Sequence, residues 1–178
     1  FSVQAESISS ALNNHKVQVS IFNNSSSTHY HSPLSIEVSN ITNASLNLSL
    51  DNGTILEANK EEFQNFIVTE RLLVNLGPNE KKTIDIHGMC IEQSDMAPND
   101  EVLYTIGGEA SSQMKQLGLF IEKNKQFEPD AQFLMWELAE NKFNNIEKID
   151  FEMDEYGEIW VVEEKDNQRE RVIEEQIE

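Results

Sequence analysis

Apolar and polar residues alternate with a period of two from Val17 to Ile86. Val17, Val19 and Ile21 stand between polar neighbours, as do Leu34, Ile36 and Val38, and Leu46, Leu48 and Leu50. Successive side chains of a strand point to opposite faces, so the pattern predicts strands with one buried and one wet face. Further strands are predicted at Thr54–Leu56, Ile67–Thr69, Leu72–Leu76 and Thr83–His87. Asp51-Asn52-Gly53 and Gly77-Pro78-Asn79 mark turns, because Gly takes backbone angles that other residues avoid and Pro presets one. About seven short strands spaced ~8–12 residues apart are the pattern of an antiparallel β-sandwich, expected here over residues 12–91.

The period then changes. Ala110, Met114, Leu117 and Ile121 fall on one stripe of a helix predicted over Glu109–Lys125. Pro129 suits the first turn of a second helix, where its missing N–H is not needed. That helix should reach about Asn141, with Phe133, Trp136 and Phe143 turned inward. Residues 92–145 therefore read as a helical pair packed across one end or edge of the sheets. Alternation returns at Ile149, Phe151 and Met153, then at Ile159–Glu163 and Arg171–Ile173, so 146–178 reads as a β meander. The expected fold is mainly β (α+β): an Ig-like antiparallel β-sandwich, a helical pair and a C-terminal meander. There is no Cys–Trp–Cys pattern, which excludes antibody-type domains. The stretch from Leu76 to Ile86, Leu-Gly-Pro-Asn-Glu-Lys-Lys-Thr-Ile-Asp-Ile, resembles a hairpin of bacterial Ig-like modules.

The 178 residues fit one domain, or a small domain with an appendage. They carry 32 Asp and Glu against 13 Lys and Arg, a net charge of -19. Phosphate binding needs clustered Lys and Arg, so nucleic acid is not an expected partner. Anionic membrane surfaces are excluded on the same ground. No apolar run approaches the ~18–20 residues of a membrane span. The charge sits at the back: Glu147 to Glu178 holds thirteen acids against Lys148, Lys165, Arg169 and Arg171. This reads as a solvated appendage. Residues 1–11 read as a leader or arm, in which Val3-Gln4-Ala5 resembles a small-x-small cleavage site and points to export. Six Asn-x-Ser/Thr sequons, at Asn23, Asn24, Asn40, Asn43, Asn47 and Asn52, lie among the Ser- and Asn-rich strands.

The single cysteine excludes an internal disulfide and a multi-cysteine zinc site. Cys90 stands in Gly88-Met89-Cys90-Ile91, just past the last sandwich strand. Gln132 stands in Ala131-Gln132-Phe133-Leu134-Met135-Trp136, in the first turn of the second helix. Together these motifs resemble the thioester domains of bacterial surface adhesins. The resemblance implies that the Cys90 thiolate attacks the Gln132 carboxamide and expels ammonia, leaving a thioester that a partner's amine captures covalently. Met89 and Trp136 would support the pair, Trp136 as a wall against water. The sequence departs from that family at Ala131, where a hydroxyl-bearing residue is common, and at Leu134, where a small one is.

Other chemistry is sparser. His29 and His31 would share one strand face, and with His87 they are candidate ligands for copper or zinc. Asp150, Glu152 and Asp154 stand like the start of a calcium loop, but Glu155 and Val161 occupy the positions where an EF-hand needs Gly and Glu. There is no Gly-rich phosphate loop, Ser-His-Asp arrangement or metalloprotease helix. An enzyme is therefore not expected, and no cofactor. The reading is an exported, cell-surface or extracellular binding or structural protein, with a protein partner or further copies of itself. One alternative is a filament subunit assembled by strand pairing at Val17–Phe22 and Arg171–Ile177. Another is a periplasmic ligand- or metal-binding module.

Overall fold

A computed structural model describes residues 4–172. In chain order its elements are β1 (Glu6–Ser7), α1 (Ile8–Asn13), β2 (Val17–Asn23), β3 (Leu34–Asn40), β4 (Leu46–Leu50), β5 (Thr54–Ala58), β6 (Phe66–Val68), β7 (Leu72–Leu76) and β8 (Lys81–Ile86). Then follow β9 (Gly88–Cys90), β10 (Leu103–Glu109), α2 (Ser112–Asn124), α3 (Pro129–Ala139), β11 (Ile149–Met153), β12 (Ile159–Lys165) and β13 (Gln168–Arg171). The chain is mainly β, a sandwich with a small helical part, as the alternation predicts.

One sheet has the order β8-β3-β2-β10-β5-β6-β9, antiparallel throughout. The facing sheet is β1-β4-β7. Their inward residues form one core, with Ile21, Ile36 and Val38 against Leu48, Val74 and Leu76. Period-2 burial along each strand creates that core directly.

Four expectations change. The stretch 103–109, read as part of the helical segment, is strand β10 and bridges β2 and β5. Its alternation is short and ends in Gly107-Gly108, beside a register shift between Ile106 and Glu109. Two glycines weaken a strand signal and suit a bulge. Second, β2 is interior, paired with β3 on one side and β10 on the other. It is not a free edge for assembly, and Ile173–Ile177 of the other proposed edge lie outside the described residues. Third, β1 pairs with β4 in parallel. Fourth, residues 6–11 are no arm, since Ile8 and Ala11 are wholly buried in the core. Ser7 caps α1 by accepting from Ser10 N at 3.0 Å. Val3 of the cleavage-like triplet lies outside the described residues.

The end of the large sheet is buried on both faces. Phe66, Val68 and Cys90 point into the sandwich core. Ile67 and Met89, the alternate residues of β6 and β9, point into a second core. That core is built by Met114, Leu117 and Ile121 of α2, the inner face of α3, and Phe151 and Val161 of the meander. The predicted stripe of α2 is thus the buried one. Gly118 is required there: a Cβ would lie 2.4 Å from Asn52 Oδ1. On α3 the buried residues are Ala131, Gln132, Leu134, Met135 and Leu138. Phe133, expected inward, is 57% exposed. Wedging between two cores selects the Leu134–Met135 side, and Phe133 falls opposite. Phe143 is buried as expected, and Trp136 is half-buried against the sandwich core.

The acidic tail forms the meander β11-β12-β13. Arg169 pairs with Asp150 at 2.6 Å and Arg171 with Glu152 at 2.5 Å. Asp154 accepts from Trp160 Nε1 and from the main-chain N–H groups of Tyr156 and Glu158. The Trp160 bond, followed by these main-chain bonds, holds its carboxyl below the usual carboxylate range despite opposing desolvation. These acids organise the turn and sheet. Among the described residues no helix is long and apolar enough to cross a membrane.

Candidate functional site

β9 is the last strand of the large sheet, and α3 lies along its open side. Among the described residues β9 pairs only with β6, so the main chain of Cys90 needs partners beyond the ladder. Gln132 supplies them. Its Oε1 accepts from Cys90 N at 3.1 Å, and its Nε2 donates to Cys90 O at 2.7 Å. The carboxamide therefore meets Cys90 as a neighbouring strand would. Pro129 at the start of α3 presets the first helical turn, which carries Gln132.

The same clamp presents the carboxamide to the thiol. Cys90 Sγ donates to Gln132 Oε1 at 3.3 Å. The carboxamide carbon is one C=O bond beyond that oxygen, so it lies within roughly 4.5 Å of the sulfur. Both residues are buried, Cys90 fully and Gln132 to 1% exposure. The main-chain N–H of Cys90 polarises the carbonyl and is placed to hold negative charge on Oε1. Burial pushes the Cys90 thiol up to about 12, with the Trp136 indole opposing that rise and the Glu92 carboxylate adding to it. The resting thiol is accordingly protonated at neutral pH.

Two enclosed donors belong to side chains packed in or against the core that holds Cys90. Trp136 Nε1 and Tyr104 Oη are buried and have no hydrogen-bond partner. The Trp136 indole lies near enough to the Cys90 thiol to oppose the rise that burial causes. Tyr104 shares the sandwich core with Cys90 and packs edge-on against Phe66 at 5.6 Å. Burial raises its phenol, and negative charge on Cys90 and Glu92 raises it further. No sequence signal marks Tyr104, because it lies on the unpredicted strand.

The histidines do not form one ligand set. His29 and His31 lie in the loop between β2 and β3, not on a strand. His31 and His87 meet with ring centroids 4.9 Å apart, and Ser32 Oγ lies between them, 3.1 Å from His31 Nδ1 and 3.3 Å from His87 Nδ1. Phe127 stacks on His87 at 4.4 Å. His29 goes elsewhere and stacks on Trp136 at 6.4 Å. Among the described residues no group of three or more His, Cys, Asp or Glu converges to hold a metal. His29 also lines a cleft of about 500 Å³ with Asn24, Tyr30, Pro33, Ala97 and Pro98. Neither Cys90 nor Gln132 lines that cleft. His29, which stacks on Trp136, thus also lines an open hollow without Asp, Glu, Lys or Arg in its walls.

Of the sequons, Asn40 is 2% exposed and fully used in internal hydrogen bonds. Asn52 donates to Thr69 O, Gly118 O and Glu122 Oε2. Both side chains serve the fold. No protein-family model, no curated protein and no solved structure matches this chain.

Proposed function

We propose that Cys90 and Gln132 condense to an internal thioester, and that the protein is an exported surface or extracellular protein that captures a partner covalently through it. The observation that carries this reading is the clamped carboxamide, with its oxygen 3.3 Å from Cys90 Sγ in a sealed site. It joins two residues that stand 42 positions apart in the chain. Their local motifs already resemble those of thioester domains.

The chemistry balances within the pair. Sγ attacks Cδ of Gln132, and the carbonyl oxygen takes negative charge beside Cys90 N–H. The C–N bond then breaks, and ammonia leaves with the thiol's proton. The product is a C–S bond between the two side chains. A primary amine later attacks the same carbon. The C–S bond breaks, the sulfur recovers a proton from the amine, and an amide joins Gln132 to the partner. Sulfur suits both steps, because it is a strong nucleophile and a good leaving group. Exclusion of water preserves the thioester until an amine arrives. The use calls for export, because the thiol pool of a reducing cytosol would open a thioester by exchange.

Intact-mass spectrometry tests the reading. The expected mass is that of the chain less one ammonia, and methylamine should then add as one molecule while a thiol appears. A chain at full sequence mass, with one thiol that titrates on unfolding, would overturn it.

A further inference from the structure

Trp136 does more than close the site. It lies one helical turn from Gln132, so both side chains leave the same face of α3. Its ring packs on the sandwich core that contains Cys90. Two neighbours fix the ring: Phe133 meets it edge-on at 5.4 Å, and His29 stacks on it at 6.4 Å. Its Nε1 is enclosed yet has no hydrogen-bond partner. An enclosed, unpaired N–H costs about 1–3 kcal/mol. Such groups are uncommon in folded proteins and call for an explanation. A donor held rigid and unpaired against the core that contains a sulfur has its use when that sulfur carries charge.

Resting on the thioester reading, we propose that the Trp136 indole N–H is the hydrogen-bond donor that holds the Cys90 sulfur as the C–S bond forms and breaks. In the capture step the amine nitrogen bonds to Cδ and the electron pair of the C–S bond moves to Sγ. The indole N–H stabilises that thiolate until it takes the proton released by the amine. In the condensation step the same N–H favours the attacking thiolate. The carbonyl oxygen has its own donor, Cys90 N–H. The site then supplies one donor to each atom on which charge develops.

This role and a purely covering role predict opposite signs. Shrinking a cover admits water and amine, and opens the thioester faster. Removing a donor slows its opening. The experiment uses the full chain and methylamine as the amine. Trp136→Phe keeps an aromatic ring and loses the N–H. A second variant carries benzothienylalanine at 136, which keeps the bicyclic shape and replaces N–H by sulfur. Both are compared with wild type by thermal melting, intact mass and methylamine rate across pH. The expected result is a folded protein whose capture rate falls about tenfold or more at every pH, or which stays at full mass because the thioester no longer forms. A folded benzothienylalanine variant that carries the thioester and reacts at the wild-type rate or faster would overturn the proposal. Wild type without the ammonia loss would instead overturn the thioester reading itself, so the two failures are distinct.

Discussion

Asn40 and Gln132 are both buried carboxamides bonded to main chain within the fold, and they differ in what stands beside them. Asn40 holds the turn region around β3 and β7. Its Nδ2 donates to Ala44 O at 2.7 Å and Gly77 O at 2.8 Å, and its Oδ1 accepts from Thr42 N and Thr42 Oγ1. Gln132 holds the open side of β9 by the same device, an amide paired with main chain. Burial and satisfied bonding are therefore common to both and signal structure, not chemistry. The hydroxyl of Thr42 even lies nearer its amide oxygen, at 2.8 Å, than the thiol of Cys90 lies to its own, at 3.3 Å. What separates the sites is the atom and its setting. One offers a hydroxyl in a partly exposed turn. The other offers sulfur in a sealed core, near an indole N–H that has no hydrogen-bond partner.

The largest difference should appear when each amide is removed. Asn40→Ala leaves main-chain groups of the turn unpaired and should cost about 3 kcal/mol. Gln132→Ala leaves Cys90 N–H unpaired, the bond from Nε2 to Cys90 O being already lost with the ammonia in the proposed thioester. It also abolishes the proposed thioester cross-link, which would close a loop of 42 positions and be worth about 4 kcal/mol on the chain-entropy account. Its total loss should be roughly twice that of Asn40→Ala. Urea unfolding of both variants checks this, and equal losses would remove the cross-link from the account.

Cys90→Ala removes the proposed cross-link, while Gln132 keeps its whole carboxamide and with it both bonds to the main chain of residue 90. Its melting point should fall about 10 °C below wild type. Wild type opened with methylamine also lacks the cross-link and should melt close to this variant, but it keeps the thiol. That thiol adds a pH dependence. Its value rises from an ordinary 9.0 in the unfolded chain to about 12 in the fold. The folded state therefore binds the proton more tightly. The resulting stability is complete below pH 9 and is lost as the pH climbs through 12. Relative to Cys90→Ala, the opened protein should lose roughly 1 kcal/mol per pH unit across that window. Parallel pH curves for the two would show that the thiol is not desolvated.

Much of this arrangement was legible in the chain, for specific reasons. Val17-Val19-Ile21 and Leu34-Ile36-Val38 each show one buried face, so alternation reveals them. Cys90 and Gln132 stood out through short motifs, and Pro129 marked the turn that positions Gln132. β10 was not legible, because Gly107 and Gly108 blur its alternation and its partners lie far away in sequence. The double burial of β6 and β9 was also hidden. Phe66, Ile67 and Val68 form an uninterrupted apolar run, and only the assembled helices show that Ile67 faces a second core. Helical periodicity places Phe133 inward because it identifies only a stripe, while the choice between large apolar neighbours depends on what the helix is wedged against. The unpaired N–H of Trp136 is a property of three dimensions alone. No spacing rule shows which donors a fold leaves unused.

The mildest substitution asks whether a nucleophile beside a buried amide is sufficient. Thr42→Cys places a thiol next to Asn40, a second Cys–amide pair in the same chain. The hydroxyl makes hydrogen bonds to Asn40 Oδ1 and Ala44 O, so the loss should be about 1 kcal/mol. The new thiol would stand in a turn open to water, with no indole N–H beside it. Asn40 Oδ1 would keep the Thr42 main-chain N–H as its donor, so polarisation of the carbonyl is matched between the two sites. The variant should therefore gain one titratable thiol under native conditions and lose no ammonia beyond that lost by wild type. Peptide mapping of residues 34–50 would locate any new cross-link. A thioester between positions 40 and 42 would show that proximity and a polarised carbonyl are enough. The sealed wall and the Trp136 donor would then be dispensable for condensation, and the contrast between the two amides would reduce to sulfur against oxygen.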